Sequence, residues 1–193
     1  DPYHLAGGGT PLDVAANSNI SVDALRRSLP EPMPLWFAIE GYLDVPNPQH
    51  VITPAEEVAN TYLSIIYGLD GVFYFDFSAK NYPKLWTAIG NTVRELRSLE
   101  PVLISRQTSP EVTCSDAKVH YTVQTTTEGT YVIGCNATAE AADGVQFVVP
   151  GLKEGVKVEV LFEDRTLIAQ DEAFHDNFAG FQRHVYRIDN ANS

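Results

Sequence analysis

The 193-residue sequence predicts an α/β segment followed by an all-β one, and three observations carry that prediction. The first is Pro34-Leu35-Trp36-Phe37-Ala38-Ile39-Glu40-Gly41-Tyr42, an apolar run bounded by proline and glycine that stops on a carboxylate. Its length and lack of alternation suit a strand buried on both faces of a parallel sheet, with Trp36 in the core. The second is the way amphipathic helix patterns alternate with such strands. The third is a change near residue 102 to short period-two segments separated by turn residues, the pattern of an antiparallel sandwich.

Taken in order, Asp1 to Leu5 reads as the tail of a strand, and Gly7-Gly8-Gly9 as a loop without fixed backbone angles. Ser21 offers an N-cap to a short helix from Val22 to Leu29, which Pro30, Pro32 and Pro34 end. Glu40 then closes the organising strand at the edge where parallel α/β folds project catalytic side chains, although a first solvated residue after a core strand looks the same. A polar loop from Leu43 to Ile52 follows. Thr53-Pro54-Ala55-Glu56 spells a capping box with proline at the first helical position, opening a helix through Val58, Tyr62, Ile65 and Ile66 that stops at Gly68. Asp70-Gly71 turns the chain into a second aromatic strand, Val72 to Phe77, with Asp76 near its end. Tyr82-Pro83 opens another helix whose apolar face is Leu85, Trp86, Ile89, Val93 and Leu96, closed by Glu100-Pro101.

Strand and helix thus alternate three times, which implies parallel strands joined by right-handed crossovers. Three such strands neither cover themselves nor close a barrel, so they are expected to pair with sequence outside these residues. Beyond residue 102 the expected strands are Val119 to Val123, Thr130 to Cys135, Val145 to Val149, Val156 to Phe162, Thr166 to Ala169 and His184 to Ile188. Glu128-Gly129, Asp143-Gly144 and Glu154-Gly155 are the expected turns between them.

Composition narrows the function. Thirteen basic residues against twenty-five acidic ones give a net charge of −12, which argues against nucleic acid or an anionic membrane as partner. No apolar run approaches the roughly 20 residues that span a bilayer. The opening Asp1-Pro2-Tyr3, without Met or a signal-type apolar region, suggests a processed or partial product. Cys114 and Cys135 fall in strand-like segments and either close a disulfide or remain two buried thiols. Asn19-Ile20-Ser21 and Asn136-Ala137-Thr138 match the N-glycosylation acceptor pattern and lean toward an extracellular or secretory compartment. The five histidines are too scattered for a zinc site, no dense acidic loop suggests calcium, and neither a metal nor a cofactor is expected. A Gly-x-Ser-x-Gly elbow and a phosphate-binding glycine loop are both missing, which disfavours acyl and phosphoryl transfer.

These features together resemble the C-terminal end of a (β/α)8-barrel glycoside hydrolase with an appended β-sandwich. On that resemblance, residues 1–101 correspond to the last three βα units of a TIM-type barrel and residues 102–193 to the sandwich. Asp1-Pro2-Tyr3 looks like the end of the sixth barrel strand, Pro34 to Glu40 the seventh and Gly71 to Phe77 the eighth. Phe174-His175-Asp176-Asn177-Phe178 and His184 to Ile188 look like the closing strands of the sandwich. The resemblance implies that Glu40 is the nucleophile of a retaining glycosidase, because the largest clan of such barrels carries that glutamate at the end of its seventh strand. Asp1, Tyr3, Tyr42 and Asp76 are then candidates to line the sugar pocket. Retention also requires a carboxylic acid about 5 Å from the nucleophile. In this clan it belongs to the fourth strand, so the general acid and much of the pocket are expected from an N-terminal barrel segment or a partner chain. Without them the chain is expected to be inactive. The competing reading is a carbohydrate-binding or structural glycoprotein on an inactive hydrolase-like scaffold.

Overall fold

The computed structural model describes residues 5, 8–30, 33–40, 50–75 and 80–189. The chain divides into two compact units, Asp1–Val93 and Arg94–Ser193.

In the first unit, a turn at Gly8, whose φ is +85°, leads into a π-helical turn, Asp13–Asn17, in place of an irregular loop. Val14 and Ala15 from this turn are buried. Helix α1 spans Val22–Ser28, and the Ser21 hydroxyl caps it by accepting from the Ala24 amide. Strand β1 is Trp36–Glu40, α2 is Pro54–Ile66 and β2 is Gly71–Phe75. The capping box of α2 forms in full: Thr53 accepts from the Glu56 amide, and the Glu56 carboxylate accepts from the Thr53 amide. Arg26 fastens α1 to the turn after α2. It donates to the Gly68 carbonyl through Nε at 3.0 Å and Nη2 at 2.7 Å, and pairs with Asp70, which also accepts from the Leu35 amide at 2.8 Å.

β1 and β2 pair in parallel with Trp36 opposite Gly71 and Glu40 opposite Phe75. Among the described residues only one face of this sheet is covered. Leu35, Phe37 and Val72 pack with Leu5, Val14, Val22, Ile52 and Leu69. The other face presents Trp36, Phe73 and Phe75, so the expectation of a doubly buried strand fails and Trp36 is 58 % exposed rather than core. Its ring lies 5.2 Å from that of Phe73 and directly over Gly71, where a Cβ would come within 2.5 Å of the indole. Side chains alternate along a strand, so an apolar run buries both faces only if something covers each.

α3 runs Pro83–Leu103, passing through Pro101 instead of stopping before it. Proline that close to a helix end forfeits one backbone bond and is tolerated. Leu85 and Ile89 are buried as expected, whereas Trp86 is 52 % exposed and Val93 is exposed with it.

The second unit holds two antiparallel sheets. Its strands are β3 Thr113–Cys114, β4 Val119–Thr125, β5 Gly129–Asn136, β6 Ala142–Val148, β7 Lys157–Val160, β8 Arg165–Ile168, β9 Ala173–Phe178 and β10 Arg183–Asp189. One sheet is ordered β4-β5-β10-β7-β8 and the other β3-β6-β9. They share one core, in which Phe147 meets Phe174, Phe178 and Tyr186. Asp143-Gly144 is not a hairpin turn but a bulge inside β6, with Gly144 at φ +64° and the register shifting between Ala142 and Val145. Glu95 of α3 forms a bidentate pair with Arg183 of β10, at 2.5 and 3.1 Å.

Candidate functional site

Glu40 sits at the C-terminal end of a parallel strand, as the sequence predicts, but it is not open to solvent. It is 2 % exposed, and its Oε2 accepts a 2.8 Å hydrogen bond from the Leu5 amide. The strand delivers the carboxylate, and the Leu5 amide holds it.

A second buried carboxyl group lies close enough to feel its charge, in a place that spacing and composition do not suggest. Glu57, in the first turn of α2, is fully buried, and neither of its oxygens has a hydrogen-bond partner among the described residues. Burial pushes its pKa well above the ordinary carboxylate value, and the nearby charge of Glu40 pushes it the same way. The Leu5 amide donates to Glu40, while nothing described donates to Glu57. Burial and the neighbouring charge together keep a proton on Glu57. Asn60 and Ser64 continue the buried polar stripe along α2, also without side-chain partners among the described residues. Thr61 Oγ1 bonds the Glu57 carbonyl at 3.1 Å and the Tyr74 hydroxyl at 2.9 Å. α2 is buried all round from Ala59 to Ser64, and Glu56 and Glu57 are buried before it, while Val58, Ile65 and Ile66 of the apolar pattern are only half-buried. Of the apolar pattern only Tyr62 is fully buried, and apolar periodicity gives no sign of the buried polar residues.

Of the remaining candidates, Asp1, Tyr3, Tyr42 and Asp76 lie outside the described residues. Cys114 and Cys135 are both free thiols. Cys114 belongs to the three-stranded sheet and Cys135 to the five-stranded one, where burial pushes its thiol up and leaves it inert. Asn19 is exposed and accessible to a glycan. Asn136 is not: it is fully buried, its amide nitrogen donates to the Glu140 and Ala179 carbonyls at 2.7 and 3.1 Å, and its oxygen accepts from the Thr138 amide and hydroxyl. Among the described residues, no group of three or more His, Cys, Asp or Glu is arranged to hold a metal ion.

No family model and no curated protein matches this chain. Solved structures do. The fold is similar to that of AmyP in complex with maltose, with a TM-score of 0.53 and 11 % identity over 72 % of this chain and 36 % of that one. It is similar to α-amylase from Geobacillus thermoleovorans complexed with acarbose, with a TM-score of 0.53 and 12 % identity over 73 % of this chain and 34 % of the amylase. A GH30 endoxylanase from Clostridium papyrosolvens C71 matches at 0.50 and 12 %, over 90 % of this chain and 47 % of that one. The chain therefore spans about a third to a half of the length of these proteins. At such identities the likeness speaks for the fold, which is glycoside-hydrolase-like.

Proposed function

We propose that this chain is the C-terminal part of a retaining glycoside hydrolase, in which Glu40 is the nucleophile and the remaining strands and the general acid come from an N-terminal barrel segment or a partner chain. The observation that carries this reading is the exposure, among the described residues, of Trp36 and Phe73 on one face of the two-stranded parallel sheet. Trp36 and Phe73 stand where further barrel strands would close over them. The fold likeness to carbohydrate-active enzymes points the same way. On this reading the β1 and β2 strands are the seventh and eighth of the barrel, and the two sheets of the second unit are its appended sandwich.

In the reaction Glu40 attacks the anomeric carbon, and the external acid protonates the leaving oxygen. Water then releases the sugar from the glycosyl ester as that acid turns base. The Leu5 amide orients the Glu40 carboxylate, and Glu57, its pKa raised by burial, adds no second charge beside it. Asp1, Tyr3, Tyr42 and Asp76 remain proposed subsite residues. The secretory location expected from the sequence now rests on Asn19. The test is covalent trapping of the completed barrel by an activated 2-fluoroglycoside, followed by peptide mapping. The label is expected on Glu40, and Glu40→Gln is expected to abolish both labelling and turnover. A label elsewhere, or turnover retained by the variant, overturns the assignment.

A second reading is favoured by the burial of Glu40 beside Glu57. A carboxylate so enclosed suits a hydrolase-like scaffold that binds carbohydrate without cleaving it. An assembled protein that binds glycan but is never labelled decides for it.

A further inference from the structure

The second unit carries a groove of about 810 Å³ formed by β7, the β7–β8 hairpin, β8 and the end of β10. The register builds one wall of it. Arg187 stands opposite Glu159, and Glu159 opposite Thr166, so the three side chains form one row across three strands. Arg187 is held between two carboxylates, Glu159 at 2.7 Å and Asp189 at 2.8 Å. Arg165, also in the lining, is taken up by Glu163 and by a bidentate bond to Asp176. Lys157 and Asp164, at the two ends of the hairpin, lie in the lining with no ion pair or side-chain hydrogen bond among the described residues.

Phe162 gives the groove its apolar platform. It is 44 % exposed, it occupies the left-handed region at φ +69°, and the only described group over its ring is the Arg183 guanidinium, 5.7 Å from the centroid. A bulky side chain is costly in that backbone region, and glycine or asparagine there would relieve the cost. The ring is not among the side chains of the unit's buried core. Local strain kept where a simpler residue would remove it points to what the side chain meets from outside.

The lining combines three bases, Lys157, Arg165 and Arg187, with four acids, Glu159, Glu163, Asp164 and Asp189. Most of these charges compensate one another, so a strongly charged ligand would find no net attraction. A neutral ligand with one flat C–H face and a rim of hydroxyls fits both halves of the surface. We propose that the groove binds a neutral oligosaccharide, with Phe162 under the C–H face of a pyranose and Lys157, Asp164 and Thr166 hydrogen-bonding its hydroxyls. The site does not depend on Glu40: a chain that never hydrolyses a glycan still binds one here, and a failure here leaves the nucleophile assignment standing.

The test is titration of the purified chain with maltoheptaose, xylohexaose and cellohexaose to millimolar concentrations, followed by calorimetry and by amide NMR. At least one probe is expected to bind and to shift the signals of Phe162 and Thr166. Phe162→Gly, which relieves the backbone while deleting the ring, is expected to weaken binding about tenfold, or 1.4 kcal/mol, without lowering the melting temperature. Three results each overturn the proposal: no binding of any probe, shifts confined to residues outside the groove, or undiminished affinity in Phe162→Gly. Lys157→Ala supplies a second variant outside the hairpin backbone and is expected to weaken binding as well.

Discussion

Replacing Glu57 by glutamine separates the proton held on this buried acid from its shape. Gln is nearly isosteric with a protonated glutamate, so the two chains are expected to differ by a constant below pH 4.5, the ordinary value for a glutamate. Above it the curves diverge. The unfolded chain releases the Glu57 proton, while the folded chain keeps it because burial and the charge of Glu40 raise the folded pKa well above 4.5. A raised carboxyl pKa gives stability that is fully present below the unfolded value and is lost as pH rises toward the folded one. One proton held by the folded state alone costs about 1.4 kcal/mol for each pH unit in that window. The advantage of Glu57→Gln over the unmodified chain is therefore expected to grow by about 1 kcal/mol across the first pH unit above 4.5 and by about 1.4 kcal/mol across the next. Urea unfolding followed by tryptophan fluorescence is the assay. The chain has two tryptophans, Trp36 and Trp86, both in the first unit, so the signal reports the unit that contains Glu57. If the two stability curves run parallel from pH 4 to 7, Glu57 is not a buried proton carrier and its reading as a protonated acid is refuted.

Other substitutions test neighbouring parts of the structure. Thr53→Ala deletes the side-chain half of the capping box and is expected to cost about 1 kcal/mol, read as an earlier urea midpoint for the first unit. Asp176→Asn removes the carboxylate that binds Arg165 bidentately and accepts from Tyr186; breaking this mostly buried pair is expected to cost about 2 kcal/mol in the second unit. Burial acts to raise the Asp176 pKa, but its hydrogen bonds from Arg165 and Asn177 win and lower it. The stability it contributes is hence present above the ordinary aspartate value and is lost on acidification through the folded one, so the deficit of Asp176→Asn should shrink at low pH. Gly129→Ala would set a Cβ 2.4 Å from the Ile188 carbonyl oxygen across the β5–β10 pair. It is expected to cost about 3 kcal/mol or to prevent folding of that sheet, which circular dichroism would show.

Elements with a local physical signature are legible in the residues alone. Ser21 and the Thr53-Pro54-Ala55-Glu56 box mark two helix starts because capping is chemistry between residues three apart. The strands β4, β5, β7 and β10 follow from alternation. What the residues do not reveal depends on what packs against what. Trp36 and Trp86 look like core residues by composition, yet which face of a strand or helix is covered is decided by elements distant in sequence. Glu57 looks like an ordinary first-turn glutamate, since its burial follows from the way α2 presents its polar stripe inward. The β9 strand, rich in polar residues at His175, Asp176 and Asn177, is recognisable through resemblance rather than by alternation. Phe162 gives no signal, because a left-handed φ at an aromatic residue leaves no trace in composition or spacing.

The hydrogen-bonded side chain of Asn136 carries a consequence for the order of events during synthesis. The tripeptide Asn136-Ala137-Thr138 serves in the folded chain as a local turn, its hydroxyl and amide both bound to the asparagine oxygen. The spacing that an oligosaccharyltransferase recognises is thus the same spacing that makes this turn. A eukaryotic secretory host would therefore set glycan transfer in competition with folding. Once β5 is paired, the amide nitrogen is withdrawn from the enzyme, whereas a glycan attached first would bar it from the Glu140 and Ala179 carbonyls. Molecules leaving such a host would sort into two populations by which event came first, and the sugar-free population would be the correctly folded one.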